Sequence, residues 1–419
     1  MKISSVVALD GDGLVAPVRQ LLNDVRAGVE SWEVASTFGD SGNPCTVGVE
    51  LIRGVAQGSR GQRVFSLVRK VVCDADVPGL PREGYMQEPQ DWNYWKREAV
   101  AYQSGLLETV EGPMVPVRCL GVEDYGNAAV MWLEEVRDVA SGSEWTFADH
   151  LAAAGALGEF NGRAVERDLS GDTYPWLVRD FSRGWLSTMP LIGLDVAVEE
   201  TSVWRSPALQ GVFPNPLGRR IGALLADADA LLGLGDRLPK TMTHHDASRN
   251  NLFRMARDTG SGPARFQLID WSFVGVAPVG EDLGHQVGLN IFFLLMGRDP
   301  STWWAYEAAA ANAYATGLRR AGVDLPVDVL HTYMRAVAVL GSVTFAASQV
   351  TWLAPDLGRP AGGDNASLVD ADADEGIPWP QEWAAKRGLE TGELLHRWAA
   401  MLTWLLDLAD AARRDMEHL

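Results

Sequence analysis

Cysteine is scarce in this chain: three in 419 residues, Cys45, Cys73 and Cys119, far apart and odd in number. That excludes a disulfide framework and a CxxC metal pair, and it fits a reducing cytoplasm. Basic residues are outnumbered, 36 Lys and Arg against 55 Asp and Glu, for a formal net charge of −19. So acidic a chain is a poor partner for nucleic acid or an anionic membrane and attracts cations instead. Long hydrophobic runs are missing too. The N-terminal stretch from Ile3 is stopped by Asp10, short of the apolar region of a signal peptide. The longest weakly polar run, Ala336 to Ala354, is broken by Ser342, Thr344, Ser348, Gln349 and Thr351. It reads as a buried helix rather than a membrane span.

What is present is globular in composition, 47% apolar and 22% charged. The length allows two or three domains. Residues 14–30 carry Val15, Val18, Leu21, Leu22 and Val25 at helical spacing. From Trp32 to Val72 the texture is β, short apolar runs broken by glycines, with Phe65–Val72 the clearest strand. After a Pro/Gly/Asp-rich loop, Trp92, Trp95, Ala99, Tyr102 and Leu106 form one stripe of a helix expected over Trp92–Leu107. Val115–Cys119 and Ala128–Leu133 read as strands, and beyond about residue 135 the chain turns helical. The order predicts an α+β, two-lobe protein: a small β-rich N-terminal lobe with one helix, residues 1–134, and a larger, mostly helical lobe, residues 135–419. Within the latter, Asn251–Met255 and Arg265–Asp270 flank a turn-rich segment and predict a β-hairpin. The acidic stretch 364–375 has Glu375 where a calcium loop requires glycine, and reads as a solvated charge run.

The chemistry concentrates in His244-His245-Asp246-Ala247-Ser248-Arg249-Asn250-Asn251, followed by Leu268-Ile269-Asp270-Trp271. Asn251 opens the first hairpin strand and Asp270 closes the second, so an antiparallel ladder sets them side by side at its open end, with Asp246 just before it. Two carboxylates and an amide oxygen converge there. Oxygen ligands of that kind, completed by water and phosphate, suit Mg²⁺. Phosphoryl transfer needs such a metal and a carboxylate to accept the proton of the attacking hydroxyl. Asp246 takes the role of base and Asn251 and Asp270 those of metal ligands. The plain alternative is that Asp246 only caps a turn.

His244-x-Asp246-x4-Asn251, Ile269-Asp270-Trp271 and Asp282-Leu283 together resemble the aminoglycoside phosphotransferase/choline kinase-like family, relatives of the protein kinases. The resemblance implies a protein-kinase-like fold and ATP- or GTP-dependent transfer to a hydroxyl. It implies Asp246 as base, Asn251 and Asp270 on magnesium, and Asp282 as structural. The middle position, commonly Gly or Asn in the family, is His245 here. The family's Lys–Glu pair, which holds a cation against the nucleotide phosphates, maps onto Lys70 of the Phe65–Val72 strand and Glu98 of the following helix. Two bland readings stand beside it: Lys70 facing solvent with Arg69 as the true partner, and Glu98 as a surface charge. The Gly-rich segment Phe38–Gly48, with Ser41 near its centre, either cradles phosphates through its N–H groups or is an ordinary hairpin turn. Ala129–Val136 resembles the family's last small-lobe strand and hinge, where backbone groups of Glu134 to Val136 would bind the nucleotide base. An edge strand running into a linker fits as well.

The first function to expect is therefore a kinase for a small, hydroxyl-bearing molecule such as an antibiotic, amino alcohol or sugar, and the −19 charge favours a cationic one. A kinase acting on Ser or Thr of a peptide, or a kinase-fold binding module, are the alternatives. The stretch Trp271–Asp282 is short and offers only Ser272 for phosphorylation, which favours the first.

Overall fold

The computed structural model describes residues 7–38, 45–74, 87–139, 145–199, 203–206, 209, 211–213, 217–256, 264–296, 299–353 and 390–419. The chain opens with α1 (Gly11–Leu22), capped by the Asp10 side chain, which accepts a hydrogen bond from Gly13 N–H. The helix stops eight residues short of the expected Glu30, because Asn23 turns into a left-handed conformation (φ 48°) and caps it. Strands β1 (Gly28–Phe38), β2 (Thr46–Gly58) and β3 (Gly61–Cys73) follow. Next come α2 (Arg97–Gln103), β4 (Met114–Pro116), β5 (Cys119–Asp124) and β6 (Ala128–Glu134). The helix expected over Trp92–Leu107 shrinks to the seven residues of α2: turns occupy its start and Gly105, at φ +74°, ends it.

Five strands make one antiparallel sheet in the order β1-β2-β3-β6-β5. Strand alternation sorts β3 onto two faces. Phe65, Leu67 and Val71 join Leu14, Val18 and Leu22 of α1 in one apolar cluster. Val72 joins Trp95, Ala99 and Met131 in another on the α2 side. Arg69 therefore points toward α1 and Lys70 toward α2. Both are buried, so neither is a solvent-facing strand residue.

β4 leaves this sheet. It pairs in parallel with a strand of the large lobe, β9, in a three-stranded sheet β4-β9-β8. The large lobe runs through α3 (Phe147–Ala164), α4 (Phe181–Thr188), α5 (Leu194–Glu199), α6 (Leu217–Ala226) and α7 (Ala228–Gly233). Strands β7 (Lys240–Thr243), β8 (Leu252–Arg254), β9 (Phe266–Leu268) and β10 (Gly275–Pro278) follow. The lobe closes with α8 (Glu281–Phe292), α9 (Pro300–Arg320), α10 (Val327–Leu353) and, numbered here as α11, Thr391–Glu417. β8 and β9 are the expected hairpin, with Leu252 opposite Leu268. α3 and α9 lie close enough that a Cβ on Gly158 would fall 2.1 Å from Tyr314 O, and one on Gly317 2.0 Å from Gly155 O. The run Val327–Ser348 of α10 is long and apolar enough to cross a membrane, but 78% of that stretch is buried within the protein, as a core helix beneath α8 and α11. Trp303 is buried in the same core.

Candidate active site

The site is assembled where α2, β3 and the β8–β9 hairpin meet. Lys70 of β3 extends its ammonium between two carboxylates, 2.6 Å from Glu98 Oε2 and 2.8 Å from Asp270 Oδ1. Burial acts to lower the Lys70 pKa, but the charges of Asp270 and Glu98 outweigh it and raise the pKa above the ordinary value. Glu98, fully buried, is pushed up by desolvation despite Lys70 beside it. Its other contacts fix the far side of the cleft: Trp271 N–H donates to Oε1 at 3.2 Å and Ser272 Oγ–H to Oε2 at 3.4 Å. Asp270 sits in a left-handed conformation (φ 61°) that turns its carboxylate toward Lys70. Burial acts to raise its pKa, yet Lys70 and the Ser272 hydroxyl, at 2.5 Å, hold it down. Its side chain keeps 28% of its surface exposed to the cleft.

The loop after β7 carries the second half. Asn251 directs its amide nitrogen at Asp246, donating to the backbone oxygen at 3.0 Å and to Oδ2 at 2.8 Å. This fixes the Asp246 carboxylate and leaves the amide oxygen of Asn251 pointing elsewhere. Desolvation, and then the charge of nearby Asp270, push Asp246 up to about 8. Ile269 N–H donates to Asn251 O at 3.1 Å, so Asn251 and Asp270 stand at the open end of the hairpin. Beneath the loop, Asp282 accepts from His244 N–H at 2.9 Å and His245 N–H at 2.7 Å, and from the Asn161 amide at 3.0 Å. It is fully buried and pins the backbone of the loop from below. The His244 ring closes the loop against the hairpin through Ile269 O, at 3.0 Å.

His245 also adopts a left-handed conformation (φ 63°), the reason small residues suit this position. Its ring is buried rather than catalytic. It stacks on Phe181 with centroids 4.5 Å apart, donates from Nδ1 to Phe273 O at 2.7 Å, and places Nε2 3.4 Å from Glu281 Oε1. Glu281 accepts in turn from Ser182 Oγ at 2.9 Å and from Tyr333 OH at 2.5 Å. Burial opposes ionisation of Glu281, but its hydrogen bonds and the neighbouring imidazoles win and bring it to about 2.

Of the nucleotide contacts expected from sequence, Glu134 ends β6 and gives its N–H to Arg118 O at 3.0 Å, which removes that donor from any base. Val136 is half-buried in the segment leaving the sheet. Ser41 lies outside the described residues, as do the 258–263 turn and the acidic stretch 364–375. Sequence reasoning passed over Ser272 as a ligand of Asp270, Asn161 as a support of Asp282, and Arg97. A polar Asn161 among the alanines and glycines of α3 was the one visible signal. Among the described residues no three His, Cys, Asp or Glu side chains form a closed metal site. The donors present are instead one carboxylate and one amide oxygen facing an excess of negative charge. That set fits a hard, partly hydrated cation such as Mg²⁺.

The chain matches no family model and no curated protein sequence. Its backbone is similar to solved small-molecule kinases. One is spectinomycin phosphotransferase APH(9)-Ia in complex with ADP and spectinomycin, at 9% identity and TM-score 0.46 over 97% of this chain and 99% of that one. Another is amicoumacin kinase hAmiN in complex with AMP-PNP and Ca²⁺, at 11% identity and TM-score 0.42 over 83% and 89%. A third is aminoglycoside-3'-phosphotransferase of type VIII, at 17% identity and TM-score 0.39 over 73% and 92%. Likeness at this level describes the chain's shape, and its chemistry is read from the distances above.

Proposed function

We propose that this protein transfers the γ-phosphoryl group of ATP or GTP to a hydroxyl of a small molecule. The observation that carries the proposal is the double tie of Lys70 to Glu98 and Asp270, set opposite an Asp246 carboxylate held by the amide of Asn251. Lys70 then offers a fixed positive charge to the nucleotide phosphates. Asp246 accepts the proton of the acceptor hydroxyl as its oxygen bonds to phosphorus and the bridging P–O bond breaks, releasing the nucleoside diphosphate. Asn251, through its amide oxygen, and Asp270 would hold Mg²⁺, which supplies neutralisation of phosphate charge when bound. Backbone groups of Glu134, through its carbonyl, and Val136 serve the base, and the segment around Ser41 the phosphates. The division of labour follows the chain: residues 1–134 bind nucleotide, and 135–419 supply catalysis and the acceptor site. Favouring a small acceptor over a peptide, Ser272 is tied to Asp270 and Glu98, and the chain returns at once to β10.

The test is phosphate transfer from ATP or GTP against panels of aminoglycosides, amino alcohols, sugars and peptides. Asp246→Asn should lower turnover by about 10²–10⁴ while nucleotide still binds. Near-wild-type turnover in that variant on the true acceptor would remove Asp246 from the role of base. Asp270→Ala should abolish Mg²⁺-dependent binding of a nonhydrolysable nucleotide in calorimetry, with Asn251→Ala weaker in the same direction, since only Asp270 carries a full charge.

A further inference from the structure

One buried cation has no carboxylate partner among the described residues. Arg97, the first residue of α2, has no exposed surface. A guanidinium has five N–H donors in a fixed plane, and all of Arg97's are used on backbone oxygens. Nε donates to Trp176 O at 2.8 Å. Nη1 donates to Trp92 O at 2.9 Å and Ser272 O at 3.2 Å. Nη2 donates to Pro89 O at 3.0 Å and to Asp91 O. The Tyr94 ring lies 5.8 Å from the guanidinium carbon. The five carbonyls come from three places: the turn that leads into α2, the large-lobe segment before α4, and the residue two past Asp270.

We propose that Arg97 is a positioning residue that clamps α2 to the large lobe and thereby sets the distance between Glu98, Lys70 and Asp270. The inference rests on the phosphotransfer reading for its catalytic consequence, though not for the clamp itself. Glu98 is the next residue in the chain, so the orientation of its carboxylate follows the position of Arg97. Ser272 is held at both ends, its carbonyl by Arg97 and its hydroxyl by Asp270 and Glu98. One planar group thus indexes the metal-side loop against the helix that carries the lysine's partner. Burial weakens the cation's hold on its proton, down to about 9. Lysine could satisfy only three of the five oxygens, and from a point rather than a plane. Methionine would satisfy none: Asp91 O would keep the Tyr94 N–H at 3.3 Å, and the other four carbonyls would lose the donor they have here.

The test uses the full-length wild type with Arg97→Lys, Arg97→Ala and, as a control for general loss of stability, Arg335→Met, which breaks the ion pair between α10 and Glu307 of α9. Amide hydrogen exchange should rise together in residues 97–103 and 270–274 of both Arg97 variants and in neither segment of the control. Arg97→Lys should lose about tenfold or more in kcat for Mg·ATP hydrolysis, with KM for ATP changed less than about threefold, because a small misplacement acts mainly on the transition state. Millimolar guanidinium should restore part of the kcat of Arg97→Ala, an effect opposite to what a denaturant does to a merely weakened fold. Independent exchange in the two segments, or a loss of kcat that matches the control at equal loss of Tm with no recovery in guanidinium, would overturn the proposal. A wild type that neither bound nor hydrolysed nucleotide would overturn the phosphotransfer reading instead, and the exchange measurement would still decide the clamp.

Discussion

Two residues of the site that are not glycine hold left-handed backbones, His245 and Asp270, and each has a side-chain partner on another element, Phe181 and Lys70 respectively. Such a conformation costs roughly 1–2 kcal/mol outside glycine. At His245 the cost is offset by the stacked Phe181, the Phe273 carbonyl and the Glu281 carboxylate. Glu281 gives this cluster a pH signature. Its pKa falls from an ordinary 4.5 to about 2 on folding. The unfolded chain therefore takes up the proton first, and the stabilisation is complete above about pH 4.5 and lost as pH falls toward 2. Urea unfolding from pH 7 down to pH 2.5 should show Glu281→Gln less stable at neutral pH by roughly 3 kcal/mol, with the gap to wild type closing on the acid side. A gap independent of pH would show that Glu281 is not the ionised partner. At this scale the sequence made the candidate residues legible and hid their supports. Asn251 and Asp270 stand at the open end of one hairpin, with Asp246 just before it, as their spacing predicts. Glu281 reaches His245 from α8, and Ser182 and Tyr333 reach Glu281 from two other helices, and no local pattern records a contact made that far along the chain.

Elements were legible where period and punctuation agree, as in β3 and the β8–β9 hairpin. α2 was overread because the apolar stripe from Trp92 to Leu106 continues through turns that Arg97 organises through the Pro89, Asp91 and Trp92 carbonyls. α1 was overread for a similar reason: Val25, placed on the helical stripe, is exposed, and Ala27 is buried in the α1–sheet cluster. The packing of α3 on α9 was invisible in sequence because it depends on what is missing from Gly155, Gly158 and Gly317. With no room for a Cβ on Gly158 or Gly317, Gly317→Ala must push the helices apart. It should cost about 2–4 kcal/mol, since both near neighbours are backbone atoms that cannot rotate away. Differential scanning calorimetry would read this as a Tm loss of several degrees. An alanine there that left Tm unchanged would mean that the two helices are less tightly apposed. Asn161, on the same helix, supports Asp282, so the loosened variant should also lose activity beyond its loss of stability.

For the whole molecule, the charge of −19 is the one property read from composition that bears on the acceptor. Not every acid is free to act: Glu159 is paired with Arg163 at 2.7 Å and Asp180 with Arg183 at 3.3 Å. The remaining excess should steer a cationic acceptor, so kcat/KM should fall clearly from low to physiological ionic strength as the screening length shortens to about 8 Å. A true acceptor whose kcat/KM ignored salt would show that the acidity serves solubility alone. The placement of β4 has a mechanical consequence. The chain passes between the lobes at two places, once through β4, which is zipped to β9, and again beyond β6. Two anchored points on a rigid body define an axis. Rotation of the five-stranded sheet about that axis should therefore displace β1, at the far end of the strand order from β6 and β5, more than β3.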